Sequence, residues 1–124
     1  MTCSVLVVDD DPHFRQLARR LLAAGGLTVV GESGTVAVTL ADAERLRPDA
    51  FLVDVELPDG DGVKLASKLA ALPWHPRVVL TSSNAELISE EDLRGSGAVA
   101  FVAKTDLPGA PLLQLCSGTS ERHR

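Results

Sequence analysis

The chain predicts an α/β domain, a doubly wound five-stranded parallel sheet covered by helices on both faces. Three observations lead there. Short apolar runs rich in Val recur along the chain, as in strands buried on both faces. Segments with apolar residues at helical spacing separate them. Such alternation implies parallel pairing through right-handed crossovers. Acids, a hydroxyl and an ammonium follow the runs, at the carboxyl ends of strands where such sheets bind ligands.

Residues 3–8 form the first strand. Asp11-Pro12 then serves as helix cap and first helical residue. Phe14, Leu17, Ala18, Leu21 and Leu22 mark the inward stripe, and Gly25-Gly26 closes the helix. Residues 27–31 are a second strand. Residues 35–47 read as a helix with Val36, Leu40 and Ala43 on one face, ended by Pro48. Residues 49–53 are the third strand. Residues 62–72 are a helix with Leu65, Leu69 and Leu72 inward, and Pro73-Trp74-His75-Pro76 is a rigid connection to a fourth strand at 77–80.

The fourth helix is the weakest. Residues 84–94 hold only Leu87, Ile88 and Leu93 as sizeable apolars, and a Ser89/Asp92 capping box restarts the helix late. Gly95-Ser96-Gly97 ends it, residues 98–103 are the fifth strand, and Asp106 or Thr105 caps a last helix running to about Cys116. Residues 1–116 thus form one domain, and 117–124 a polar tail that frays.

At 124 residues the chain has the length of a single domain. With three Phe and one Trp, its core must be built from Val, Leu and Ala. A net charge of −5 argues against direct binding to nucleic acid or to an anionic membrane surface. No apolar stretch approaches the ~18 residues of a membrane span. Met1-Thr2-Cys3-Ser4 has no basic character of a signal peptide, so a cytoplasmic protein is expected. Cys3 and Cys116 read as reduced core thiols, because one distant pair without a His cluster gives little basis for a disulfide or metal site.

Asp54 carries the chemistry. It ends the apolar run Ala50-Phe51-Leu52-Val53 and enters a turn rich in Pro, Gly and Asp. The first strand ends in Asp9-Asp10-Asp11, and later strands end in Thr81 and Lys104. Crowded carboxylates need solvation, protonation or a cation. An oxygen-only site suits Mg²⁺, with Mn²⁺ as a substitute. Asp11 is explained as a helix cap, whereas Asp9 and Asp10 lie deeper toward the strand and point to metal binding. An ionised Asp can attack phosphorus to give an acyl phosphate. A metal, the Lys104 cation and the Thr81 hydroxyl would offset the repulsion between the two anions.

The motifs Val7-Val8-Asp9-Asp10, Leu52-Val53-Asp54-Val55-Glu56-Leu57-Pro58-Asp59-Gly60-Asp61-Gly62, Val78-Val79-Leu80-Thr81-Ser82 and Phe101-Val102-Ala103-Lys104 occur in that order. The set resembles the response-regulator receiver domains of bacterial two-component signalling, over residues 3 to about 116. The resemblance implies a flavodoxin-like three-layer sandwich with strand order 2-1-3-4-5. It implies Asp54 as phosphoacceptor, Asp10 as direct metal ligand, Asp9 as a ligand through water and the Glu56 backbone carbonyl as third protein ligand. Lys104 matches the phosphate-pairing lysine, Thr81 the switch hydroxyl and Phe101 the aromatic switch residue. A sensor histidine kinase would supply the phosphoryl group. The face of helix four, strand five and helix five would then change its preference for an output protein or domain.

Some residues depart from the commonest pattern. Ser82 stands where Ala or Gly is usual, and its oxygen is expected to crowd or hydrogen-bond the phosphoryl group. Thr105 follows Lys104 where many members carry Pro, so no cis peptide is expected there. Phe101 replaces Tyr. The Glu56 side chain faces incoming water in the family and is expected to modulate hydrolysis. His13 reads as a solvated neighbour of the acids, His75 as a surface residue and Trp74 as loop packing.

Two other classes compete. An aspartyl-nucleophile phosphatase needs Asp-x-Asp-x-Thr/Val after strand one, and Asp9-Asp10-Asp11-Pro12-His13 lacks its last residue. A receiver-like interaction module that works without phosphate has no physical need for the complete acid, hydroxyl and lysine set. The receiver reading implies self-catalysed phosphotransfer and dephosphorylation rather than conventional turnover. It leaves open a single-domain regulator or a receiver from a longer transcription factor, and a monomer or a phosphorylation-dependent homodimer.

Overall fold

The computed structural model describes residues 2–118 except 85 and 87. Its strands are β1 Ser4–Val8, β2 Thr28–Ser33, β3 Ala50–Asp54, β4 Glu56–Leu57, β5 Gly60–Asp61, β6 Arg77–Ser82 and β7 Ala100–Ala103. Its helices are α1 Pro12–Ala24, α2 Val36–Leu46, α3 Gly62–Ala70, α4 Glu90–Ser96 and α5 Leu112–Ser117. Five strands pair in parallel in the order β2-β1-β3-β6-β7, as expected once the small β4-β5 hairpin is set aside.

The period-2 alternation of strands divides the core in two. Val5, Val7, Leu52 and Val79 pack with Phe14, Ala18 and Leu22 of α1 and with Leu112 and Cys116 of α5. Leu6, Val8, Phe51, Val53, Val78 and Leu80 pack with Ala43 of α2 and Leu65 and Leu69 of α3. The central strands are hidden on both faces, which explains their unbroken apolar runs. Gly31 lets α2 approach: a Cβ there would lie 2.8 Å from Leu6 Cδ1 and 3.1 Å from Leu46 Cδ1.

Several elements differ from expectation. The buried stripe of α1 follows Phe14, Ala18 and Leu22, one residue every four, and leaves Leu17 at 45% exposure. β2 continues to Ser33 because Glu32 and Ser33 still pair with Val7 and Val8. α3 stops at Ala70, and Leu72 packs on the core from the following turn. The fourth helix forms only from Glu90, after Ser89 Oγ accepts from the Asp92 amide at 3.0 Å. The expected apolar contact of Leu87 lies outside the described residues.

The last helix is divided, not continuous. A 3₁₀ segment, Lys104–Gly109, precedes α5, and neither Thr105 nor Asp106 is its cap. Pro108 and Pro111 lack amide donors, and Ala110, ahead of Pro111, is extended. Ser117 closes α5, so most of the expected tail, 119–124, lies outside the described residues.

At the amino ends of the strands, Trp74 acts as packing. Its Nε1 donates to the Pro48 carbonyl at 2.8 Å, and the Arg47 guanidinium lies 4.6 Å from its ring centroid. Cys3 and Cys116 meet here: Cys3 Sγ lies 3.6 Å from the Cys116 carbonyl oxygen, and burial pushes the Cys116 thiol up to about 12.

Candidate functional site

The carboxyl ends of β1, β3, β6 and β7 converge. β1 runs directly into Asp9, which is fully buried. The Asp9 amide donates to the Ser33 carbonyl at 2.9 Å, and its Oδ1 accepts from the Asp11 amide at 2.8 Å. This turns Asp9 inward, leaves Asp10 exposed and places Asp11 at the helix cap, where it accepts from the His13 amide at 2.9 Å. His13 itself is solvated, its side chain 94% exposed.

Asp54 ends β3 directly opposite Thr81 in the β3-β6 register. It is 7% exposed, and its Oδ1 accepts from the Glu56 amide at 3.2 Å. The chain then doubles back through the β4-β5 hairpin into α3. The Gly62 amide donates to the Val55 carbonyl at 2.7 Å, and any Cβ on Gly62 would collide with the Asp54 carbonyl. The glycine is therefore required by close backbone approach.

Lys104 joins the acids. Its Nζ lies 2.7 Å from Asp9 Oδ2 and 3.5 Å from Asp54 Oδ2. One carboxylate oxygen each from Asp9, Asp10 and Asp54 lies within 4.8 Å of the others. When all are ionised, three carboxylates and one ammonium leave two negative charges. Burial first, then the Asp9 charge, push the Asp54 carboxyl up to about 6, against the opposing Glu56 amide and Lys104. Burial acts to lower the Lys104 ammonium, but bonding and charge from Asp9 and Asp54 outweigh it and hold the group above its ordinary range.

The donors form an all-oxygen set in an unneutralised, partly buried pocket, so the acid cluster could hold a divalent cation. A cavity of 410 Å³ opens over it, lined by Asp9, Asp10, Asp54, Glu56, Ser83 and Lys104 among others. A larger cavity of 700 Å³ lies at the opposite end of the strands, beside Asp49, Trp74 and Arg77. Its two charged lining groups are engaged: Arg77 Nε donates to the Leu115 carbonyl at 2.8 Å, and Asp49 accepts from the Ser4 amide at 2.9 Å. The smaller cavity holds the unbalanced charge.

The other expected residues sit around this cavity in different ways. Thr81 is fully buried and its Oγ1 has no partner among the described residues. Phe101 is half-buried on β7 and packs on the α2-α3 side of the core. The Ser82 hydroxyl is engaged in a turn, donating to the Asn84 carbonyl at 3.0 Å and accepting from its amide at 2.9 Å. Ser83 lines the cavity instead. Sequence reasoning passed over Ser83, and also Phe14 and Arg15, whose contacts with Lys104 and Asp9 appear only on folding.

The fold and site define a doubly wound α/β domain with an acid pocket where strand order reverses between β1 and β3. The chain belongs to the response regulator receiver domain family, whose model matches residues 5–109. A putative transcriptional regulator of Pseudomonas aeruginosa is 35% identical over 103 residues, covering 82% of this chain and 49% of that protein. The protein-glutamate methylesterase/protein-glutamine glutaminase 3 of Hahella chejuensis is 31% identical over 109 residues, covering 86% of this chain and 31% of that protein. The chain thus spans less than half the length of these curated relatives.

Among solved structures, a CheY-like receiver domain from Methylobacillus flagellatus shares the fold. Its TM-score is 0.80 at 23% identity, with 92% of this chain and 98% of that one covered. The signal receiver domain of the putative response regulator NarL from Mycobacterium tuberculosis superposes with a TM-score of 0.74 at 29% identity. That match covers 90% of this chain and 94% of that one. Among the described residues no helix is long and apolar enough to cross a membrane.

Proposed function

We propose that this receiver works in the cytoplasm, accepts a phosphoryl group on Asp54 from a sensor histidine kinase and thereby changes its affinity for an output protein or domain. The observation that supports this is the juxtaposition of Asp54, Asp9 and Asp10 around Lys104. An ionised Asp54 oxygen forms the new O–P bond as the N–P bond of the phosphohistidine breaks, and the imidazole keeps the electron pair. The Asp54 backbone is fixed by the strand and by the turn at Gly62, so the nucleophile is held while its carboxylate reaches the cavity.

Asp10, Asp54, the Glu56 carbonyl and, through water, Asp9 are the groups suited to hold Mg²⁺ or Mn²⁺. When bound, the cation would supply positive charge that offsets the repulsion among the anions. Lys104 is already at the carboxylates and provides a second positive charge for the acyl phosphate. Thr81 offers a buried hydroxyl, without a partner among the described residues, beside the acceptor strand end, and its engagement is what would draw Phe101 after it. The switched surface is that of α4, β7 and α5. The exposure of Glu56 at the cavity supports a role for its side chain in modulating attack by water.

The test is intact mass after incubation with acetyl phosphate and Mg²⁺, for wild type and Asp54→Ala. One added phosphoryl group, labile to hydroxylamine and absent from the variant, is expected. Addition that survives in the variant would reassign the acceptor. No addition from either acetyl phosphate or a phosphorylated histidine kinase would favour a module that signals without phosphate.

A further inference from the structure

Lys104 leaves β7 at the head of the 3₁₀ segment and reaches back over the strand ends. Its ammonium lies beside Asp9, Asp54 and the ring of Phe14, whose centroid lies 4.1 Å from Nζ. Phe14 stands in the first turn of α1, is 8% exposed and packs among the buried residues of the α1-α5 side. The ring is therefore fixed, while the Lys104 side chain keeps 19% of its surface in solvent.

A cation over an aromatic face is drawn by the ring quadrupole, most strongly where water is excluded. The two carboxylates hold the same ammonium now, but they are also the groups that a cation or phosphoryl group would engage. The ring is the neighbour whose attraction for Lys104 does not depend on either. From this contact we propose that Phe14 is a positioning residue: its ring face keeps the Lys104 ammonium at the acid pocket and so sets the rate of phosphoryl transfer to Asp54. The rate consequence rests on the phosphoacceptor reading above. The placement of Lys104 does not.

The bland alternative is that Phe14 only fills core space. Fluorination separates the two, because it drains the negative ring face while nearly preserving shape. Phe14 is replaced by 4-fluoro-, 3,4,5-trifluoro- and pentafluoro-phenylalanine, with and without Lys104→Met. Two quantities are read: the ring-current shift of the Lys104 ε-methylene protons in cation-free protein, and the rate of phosphorylation by acetyl phosphate with Mg²⁺. Upfield-shifted ε-protons in wild type are expected, relaxing along the series. The rate should fall progressively, by about 3- to 10-fold in total, the range of one such contact. Phe14→Leu should lose both, and the series should be flat in Lys104→Met. A flat series with Lys104 intact, or the same slope without it, overturns the proposal. If wild-type protein accepts no phosphoryl group, the phosphoacceptor reading fails separately. The ε-proton shift then decides the placement of Lys104: its absence from wild type overturns it, and its loss along the series upholds it.

Discussion

The Arg15 guanidinium donates from Nη1 to the backbone carbonyl of Asp9 across 2.6 Å. Its Nε is bonded at 3.0 Å to Glu32, which also holds Arg19 at 2.9 Å. With the Asp9 amide bound to Ser33, the backbone of the first acid is clamped on both sides by groups from α1 and β2. A charge-assisted bond of this kind contributes roughly 1.5–3 kcal/mol when well shielded. Arg15 is partly exposed, at 22% for the side chain, so about 1 kcal/mol is the fair expectation. Arg15→Ala should lower urea stability by that amount. Arg15→Lys should recover little, because an ammonium lacks the planar fork that serves Asp9 and Glu32 together. Equal stability of the Arg15→Lys variant and wild type in urea titrations would show that charge alone is needed.

Asp54 makes the cation-free fold sensitive to pH. Its carboxyl is raised to about 6, so between its ordinary value of 3.8 and 6 the folded chain holds a proton that the unfolded chain releases. The associated stability is complete at acid pH and is lost as pH rises through 6. Glu32, Asp42 and Asp59 are shifted downward and act in the opposite sense, losing stability as pH falls. Comparison with Asp54→Asn cancels their effect. In EDTA the variant should be more stable than wild type at pH 7, by on the order of 1–2 kcal/mol. The gap should close toward pH 4. Mg²⁺ should stabilise wild type at pH 7 and the variant much less. Urea midpoints at each pH, with and without Mg²⁺, measure all three.

Asp59 ties the loop after Asp54 to the start of α2. Its two oxygens accept from the Val36 amide at 2.7 Å and the Ala37 amide at 3.1 Å, while Thr35 Oγ1 accepts from the Val38 amide at 3.1 Å. The Val36 bond chiefly holds the Asp59 carboxyl below its ordinary range. The start of α2 is thus capped by its own Thr35 and by a residue 23 positions away. Asp59→Ala should lower the urea midpoint and speed hydrogen exchange at the Val36 and Ala37 amides. Asp59→Asn, which keeps an acceptor but no charge, should fall between the two. Unchanged exchange at these amides would mean that Thr35 alone caps the helix.

Why some of this was legible in sequence and some was not follows from the range of the interactions. Val5–Val8 and Phe51–Val53 are buried on both faces, so burial alone dictates their composition, and the sheet could be read directly. The acids, Thr81 and Lys104 could be placed because strand ends are marked by abrupt changes from apolar to polar. The β4-β5 hairpin escaped notice because two-residue strands leave no periodic pattern. The last helix was overextended because Thr105 and Asp106 look like caps ahead of an apolar segment that ends at Cys116, although Pro108 and Pro111 interrupt it. Leu17 fitted the α1 period and still faces solvent, since the core takes up the Phe14–Ala18–Leu22 ridge and part of Leu21. Contacts such as Phe14 with Lys104 join residues remote in sequence, and no local pattern encodes them.

Thr81 shows a cost that the resting fold carries. Its hydroxyl is fully buried and unpartnered among the described residues, in the strand position opposite Asp54. Leaving such a group unsatisfied costs roughly 1–3 kcal/mol. Val has nearly the same shape and keeps the β-branch that suits a strand. Thr81→Val should therefore stabilise the unphosphorylated protein, by about 1 kcal/mol once side-chain relaxation is allowed for. If the hydroxyl is retained for the phosphorylated state, the balance reverses there. Beryllium fluoride with Mg²⁺, a mimic of the acyl phosphate, should stabilise wild type more than the variant, because only wild type gains the missing hydrogen bond. Paired urea denaturations with and without the mimic give both numbers. An equal gain for the two proteins would leave Thr81 as a packing residue with an unexplained orphan, and would remove the hydroxyl from the switch.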